Sequence, residues 1–220
     1  MEKNENLDIC RSCGGRCCKS GGCDYDASDF LEVDYDLLYE ALKTGNISIV
    51  SYFDFINDDR ILYLRSRNVG KDIVDLVSLP SRCMMLKDDG CSYSYADRPR
   101  GGRNLIPNIK FYVYCKKLVP GEDIIKSWKP YQEILEKLAY DFSGVLVEEK
   151  LERDMISFFA DIDQSFYHSN VSYDVLRSYS QYAEELKEHY LDIYQKYEDT
   201  YENDIMDTPL IKSLFKGKNR

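Results

Sequence analysis

The chain has 220 residues, 44% of them hydrophobic and 31% charged, enough to bury one core or two small ones. Its formal net charge of −10 argues against general nucleic-acid binding. No apolar run approaches the length of a membrane span, and the opening Met-Glu-Lys-Asn-Glu-Asn is too polar and acidic for a secretory leader.

The protein is therefore expected in the cytoplasm, where thiols stay reduced and eight cysteines point to metal binding rather than disulfides. Charge is unevenly spread, with a net of −1 over residues 1–118 and −9 over residues 119–220. All eight cysteines lie in the first part. The pattern predicts a cysteine-cluster metal-binding domain over 1–118 and an acidic helical region over 119–220. The expected fold class is α+β: a small irregular metal-binding core with a few short strands, followed by three acidic helices.

In chain order, the cysteine cluster comes first. Cys10, Cys13, Cys17, Cys18 and Cys23 place five thiols within fourteen residues. Gly14 and Gly15 between them supply the positive φ that a loop wrapping a metal needs. Arg11, Arg16 and Lys19 flank the loop and favour the thiolate, the form that binds metal. Cys17 and Cys18 are adjacent and point in different directions.

Asp34 is a natural N-cap for a helix through Lys43 that Gly45 can end, with Leu37, Leu38, Ala41 and Leu42 on one face. Residues 47–56 read as a strand, 57–59 as a turn and 60–67 as a second, alternating strand, together a hairpin. Asp89-Gly90 marks a turn between Cys83 and Cys91, a knuckle presenting two thiolates. Residues 98–107 are rich in loop formers, and 109–115 read as a strand carrying the last cysteine.

From Pro120 the pattern is helical. Pro130 suits the first turn of a helix ending before Gly144. A second helix covers 145–164. A third starts at Ser172 and runs to about Glu202. Its stripe is Leu176, Tyr179, Ala183, Leu186, Tyr190, Tyr194, Tyr197 and Tyr201. Glu184, Glu185, Glu188, Asp192 and Glu198 lie largely off that stripe.

Cys10, Cys13, Cys17 and Cys18, then Cys83-x7-Cys91-Ser-Tyr-Ser-Tyr, then Arg98-Pro99-x3-Arg103 resemble the YkgJ-type cysteine-cluster family. That family is described by a CxxCxxCC motif as a zinc- or iron-chelating domain. The resemblance spans residues 8–115. It implies metal ligands among Cys10, Cys13, Cys17, Cys18, Cys83 and Cys91. Flagellin lysine N-methylases, longer and thought to carry an iron–sulfur cluster, have a related arrangement. This chain departs twice from the family pattern. Three residues, not two, separate Cys13 from Cys17, and Gly102 stands where the family has a cysteine. Cys23 or Cys115 could supply the missing thiolate.

Tetrahedral zinc and a cubane cluster each need four ligands. The favoured set is Cys10, Cys13 and Cys17 with Cys83 or Cys91. That spacing suits an iron–sulfur cluster at least as well as zinc, and eight cysteines could also fill two sites. The plainer reading, in which Cys18, Cys23 or Cys115 is a small buried hydrophobe, holds for each singly.

Other candidates have stronger plain readings. Arg98, Arg100, Arg103, Lys110, Lys116 and Lys117 form the one basic concentration and could bind an anion. Pairing of Arg98 and Arg103 with Asp97 or the acidic helices is favoured instead. Asp24, Asp26 and Asp29 could hold a hard cation but lack the EF-hand pattern. His168 and His189 read as surface histidines. No catalytic residue can be assigned.

Three functions remain. One is a metal-cluster protein with a redox or modification-related role. Another is a zinc-folded interaction module whose acidic helices bind a protein partner. The last is a lysine methylase-like enzyme, which the missing adenosylmethionine loop disfavours.

Overall fold

The computed structural model describes residues 15–88, 90–106, 116–117, 121–167 and 173–207. The class is α+β. The described residues form two compact units, one up to Lys150 and one from Leu151. The division thus falls at 150/151, where the charge pattern had suggested 118/119. Helices between 121 and 143 belong with the cysteine-bearing part because they complete its core.

The first unit is built on an antiparallel hairpin, β1 (Ile47–Asp54) and β2 (Asp59–Ser66), paired from Ile47↔Ser66 to Asp54↔Asp59. The turn lies one to two residues earlier than its Asn-Asp-Asp signal suggests. Asn57 N–H bonds the Asp54 carbonyl at 3.1 Å, and Asp58 takes φ 49, which aspartate tolerates.

Both edges of the hairpin are covered. Residues 73–76 run along β1, with Ile49 N–H to Ile73 O at 2.8 Å and Asp75 N–H to Ile49 O at 3.0 Å. Along β2, Tyr25 N–H reaches Leu64 O and Cys23 O accepts from Ser66 N–H, both at 2.9 Å. Gln132 finishes that edge. Its Oε1 accepts from Leu62 N–H at 2.8 Å and its Nε2 donates to Leu62 O at 2.9 Å. Covered edges leave no strand template for another chain. They also explain why β1 and β2 are buried nearly throughout instead of alternating.

The helix α2 (Tyr35–Lys43), which follows the four-residue turn α1 (Arg16–Lys19), starts and stops as its caps dictate. Asp34 Oδ1 accepts from Leu37 N–H at 2.8 Å. Leu38 and Leu42 are fully buried, whereas Leu37, expected on the same face, is exposed. Residues i and i+4 share a face and i−1 turns away by a full 100°. Between the hairpin and the helices lie β3 (Leu86–Lys87), β4 (Gly90–Cys91), α3 (Arg100–Arg103), β5 (Leu105–Ile106) and β6 (Lys116–Lys117). Then come α4 (Gly121–Lys126) and α5 (Gln132–Ser143).

Pro130 sits in a single 3-10 turn just ahead of α5. Trp128, the one tryptophan, is fully buried here, and its Nε1–H donates to Tyr25 O at 2.7 Å. The strand expected over 109–115 lies outside the described residues.

In the second unit, α6 (Val147–Tyr167), which crosses the unit boundary, buries Leu151, Met155, Phe158, Phe159 and Ile162 at three- and four-residue steps. Phe158 meets Tyr182 edge-on at 5.9 Å, and Phe159 meets Tyr194 edge-on at 5.1 Å. The expected third helix is interrupted: α7 (Tyr173–His189) and α8 (Leu191–Asp207) meet at Tyr190. Tyr190 N–H still bonds Leu186 O, and Tyr194 N–H bonds Tyr190 O, so the hydrogen-bond ladder passes through the interruption. Ala183, Leu186 and Tyr197 of the predicted stripe are buried, joined by Ile193. Tyr197 also donates its hydroxyl to Asp163 of α6. Ser172 lies outside the described residues. Among the described residues no helix is long and apolar enough to cross a membrane.

Candidate metal centre

A cavity in the first unit is lined by the side of four cysteines, Cys18, Cys23, Cys83 and Cys91, together with Met85, Tyr93, Arg98 and Gly102. Each cysteine is delivered by a different local device. Cys18 rides on α1, which Gly15 opens with φ 67, as expected from its position in the cluster. A side chain at Gly15 would also strike Leu86, since its Cβ would lie 2.5 Å from Leu86 Cδ1. Cys83 donates its backbone N–H to Cys18 O at 2.7 Å, which ties the two cysteine-bearing segments together directly. Cys91 sits on β4, opposite Leu86 of β3, in the small ribbon that its turn signal anticipates. Asp89 of that turn lies outside the described residues. Cys23 hangs from the segment along β2, where Asp24 also bridges to Arg65.

Sulfur dominates the lining. Among the described residues no carboxylate or imidazole lines the cavity, and Met85 stands there with the hydroxyl residues Ser66 and Tyr93. Soft sulfur ligands of this kind select zinc, copper(I) or iron–sulfur centres over hard cations. Arg98, which also lines the cavity, keeps a buried Nε with no hydrogen-bond partner among the described residues. A buried N–H left unpaired costs about 1–3 kcal/mol, so an anionic occupant would relieve it. Tyr93 and Tyr25 share a hydroxyl–hydroxyl hydrogen bond of 3.1 Å at the cavity margin. Burial pushes both phenols above their ordinary pKa, and Cys83 and Cys91 add to the rise at Tyr93.

The four thiols gather around a cavity, not at a point. Among the described residues no three His, Cys, Asp or Glu side chains lie close enough together to hold a single metal ion. Of the six cysteines predicted as ligands, Cys18, Cys83 and Cys91 are brought together. Cys10 and Cys13 lie outside the described residues, and Cys17 is described only through its backbone in α1. Cys115 also lies outside. Cys23, left open between packing and ligation by its sequence, joins the other three. The Gly21-Gly22 pair before it was the available signal, because a chain that must press against a neighbouring strand needs small residues.

The acidic trio serves structure. Asp24 pairs with Arg65 at 2.8 Å, Asp26 with Arg100 at 3.0 Å and Asp29 with Arg103 at 2.5 Å. Asp26 also caps the 3-10 turn at Ala27–Asp29. These carboxylates are already satisfied and offer no hard-cation site. Of the two arginines expected to pair with Asp97 or the acidic helices, Arg103 pairs with Asp29 instead. Asp97 instead accepts from the Ser94 hydroxyl. Arg98 lies over the Tyr95 ring at 5.8 Å. His189 Nδ1 is 2.9 Å from the Glu185 carbonyl on an exposed helix face, and His168 lies outside the described residues. No protein-family model, curated protein or solved structure matches the chain.

Proposed function

We propose that this chain is a cytoplasmic cysteine-cluster protein of the YkgJ type. In this reading it holds an iron–sulfur cluster, or failing that zinc, and serves a redox or modification-related role. The observation that carries the reading is that Cys18, Cys83 and Cys91, from separate stretches of sequence, line one cavity free of carboxylate and imidazole. The residues that would hold the group are these three with Cys10, Cys13 and Cys17. The unpaired Nε–H of Arg98 suits a negatively charged, sulfur-rich occupant. A bound cluster would supply one-electron transfer at a potential tuned by its hydrogen bonds and exposure.

Iron–sulfur stands ahead of zinc because the Cys10-x2-Cys13-x3-Cys17 spacing with a distant fourth ligand suits a cluster at least as well, and zinc ribbons usually use two clean CxxC knuckles where this chain has one.

The test is anaerobic purification followed by an absorption spectrum and metal analysis. The expected result is brown protein with a broad band near roughly 400 nm and stoichiometric iron and sulfide. Protein with reduced thiols and no stoichiometric metal would overturn the reading. Colourless protein with stoichiometric zinc would favour the second reading, an interaction module folded around zinc. That alternative has its own support in the second unit, where Glu184, Glu188 and Asp192 are exposed and available to a basic partner.

A further inference from the structure

Cys23 and Gly102 share one volume. A Cβ built on Gly102 would lie 3.1 Å from Cys23 Sγ, 3.4 Å from Cys23 Cβ and 3.6 Å from Arg98 Cβ. Nothing in the backbone demands glycine there, since residue 102 is an ordinary residue of the turn α3 without a positive φ. A side chain at this position would press directly on the Cys23 thiol, which would have to give by a few tenths of an ångström.

Cys23 itself is held from both sides. Its carbonyl accepts from Ser66 N–H at 2.9 Å, and the next carbonyl, Asp24 O, accepts from Gly101 N–H at 3.0 Å. Gly22, directly before it, lies so close to β2 that a Cβ would fall 1.7 Å from Ser66 O. A segment gripped this tightly between β2 and α3 delivers its sulfur to a fixed place on the cavity wall, beside three further thiols and the unpaired Arg98 Nε.

We propose that Cys23 is a metal-binding thiolate of this centre, and that its sulfur occupies the position a cysteine at residue 102 would otherwise fill. The inference rests on the metal-centre reading above and extends its ligand set by one residue. On binding, the Cys23 thiol gives its proton to solvent and its sulfur forms the bond to the metal.

The shared volume makes a relocation experiment possible. The full chain is compared with Cys23→Ala and with the double variant Cys23→Ala/Gly102→Cys, which moves one sulfur across the contact while keeping the cysteine count at eight. Metal content and the rate of metal loss to excess chelator are measured on each. Cys23→Ala is expected to lose metal about a hundredfold faster, since loss of a ligand costs at least as much as loss of an outer-shell partner, about 10–100-fold. The double variant is expected to recover most of that loss. As a measurement on the unmutated chain, Cys23 is expected to resist alkylation in metal-loaded protein and to react once the metal is stripped, read by mass spectrometry.

Cys23→Ala with wild-type retention would overturn the inference. So would loss without rescue in the double variant, or equal alkylation of Cys23 with and without metal. An unmutated protein that binds no metal at all would overturn the parent reading as well, which separates the two failures.

Discussion

Replacing Gly22 by alanine strikes the contact on which the cavity wall depends. The added Cβ would sit 1.7 Å from Ser66 O and 2.7 Å from Ser66 C, both backbone atoms that cannot swing aside. A carbon and a carbonyl oxygen tolerate about 3.3 Å, so the segment must retreat from β2 by about 1.5 Å. That distance breaks the 2.8 Å bond from Gly22 N–H to Asn68 Oδ1 and the 2.9 Å bond from Ser66 N–H to Cys23 O. Two lost bonds, one of them leaving a buried strand N–H unpaired, cost about 3 kcal/mol together. Trp128 reports the event directly, because its indole donates to Tyr25 O three residues along the same segment. In a urea titration of the full chain followed by tryptophan emission, a slope of about 2 kcal/mol/M puts the midpoint about 1.5 M lower than wild type. Asn68→Ala, which removes only one of the two bonds, should cost about 1 kcal/mol. A Gly22→Ala loss no larger than that of Asn68→Ala would refute the steric reasoning.

Three further outcomes are expected. Gln132→Ala should destabilise the first unit by about 2 kcal/mol, read by the same titration, because it strips both partners from the buried Leu62 peptide group. Burial raises the Asp75 carboxyl pKa, and the Ser78 hydroxyl, donating at 2.7 Å, offsets this only in part. The folded state therefore holds that proton more tightly than the unfolded chain. The associated stability is complete below the unfolded carboxyl pKa of about 3.9 and is lost as pH rises through the higher folded value. Asp75→Asn should flatten this decline and leave the neutral-pH protein more stable, seen in melting temperatures from pH 4 to 8. Arg98→Met should not lower the stability of metal-free protein in the same titration, since the buried Nε–H it removes has no hydrogen-bond partner among the described residues and costs about 1–3 kcal/mol where it stands. In metal-loaded protein the same change should speed loss to chelator about tenfold, and an unaltered rate would count against an anionic occupant.

The elements readable in the sequence were those governed by neighbouring residues. Asp34 and Gly45 bound α2, and the alternation of residues 60–67 fixes β2 within one residue at each end, because caps and strand periodicity act over a few positions. The hairpin edges were not legible. Gln132 mimics a strand partner for Leu62 from 70 residues away, and no local pattern announces it. The same holds for the pairs of Asp24, Asp26 and Asp29 with Arg65, Arg100 and Arg103, separated by 41 to 74 residues. Half of the predicted ligand set was brought together in space, in Cys18, Cys83 and Cys91. Cys23 stood open between packing and supplying the missing thiolate. Its place on the cavity wall depends on a close approach to β2 that only the fold reveals.

The Cys83 N–H donates a hydrogen bond to the Cys18 carbonyl. Together with the Ser66–Cys23 bond and the Leu86–Cys91 pairing, it anchors every described thiol of the cavity through main-chain bonds that involve no ligand. This wall of the cavity is thus built by peptide groups alone. If the proposed centre is bound there, these segments need little rearrangement to receive it, and loading and stripping would proceed on a folded polypeptide.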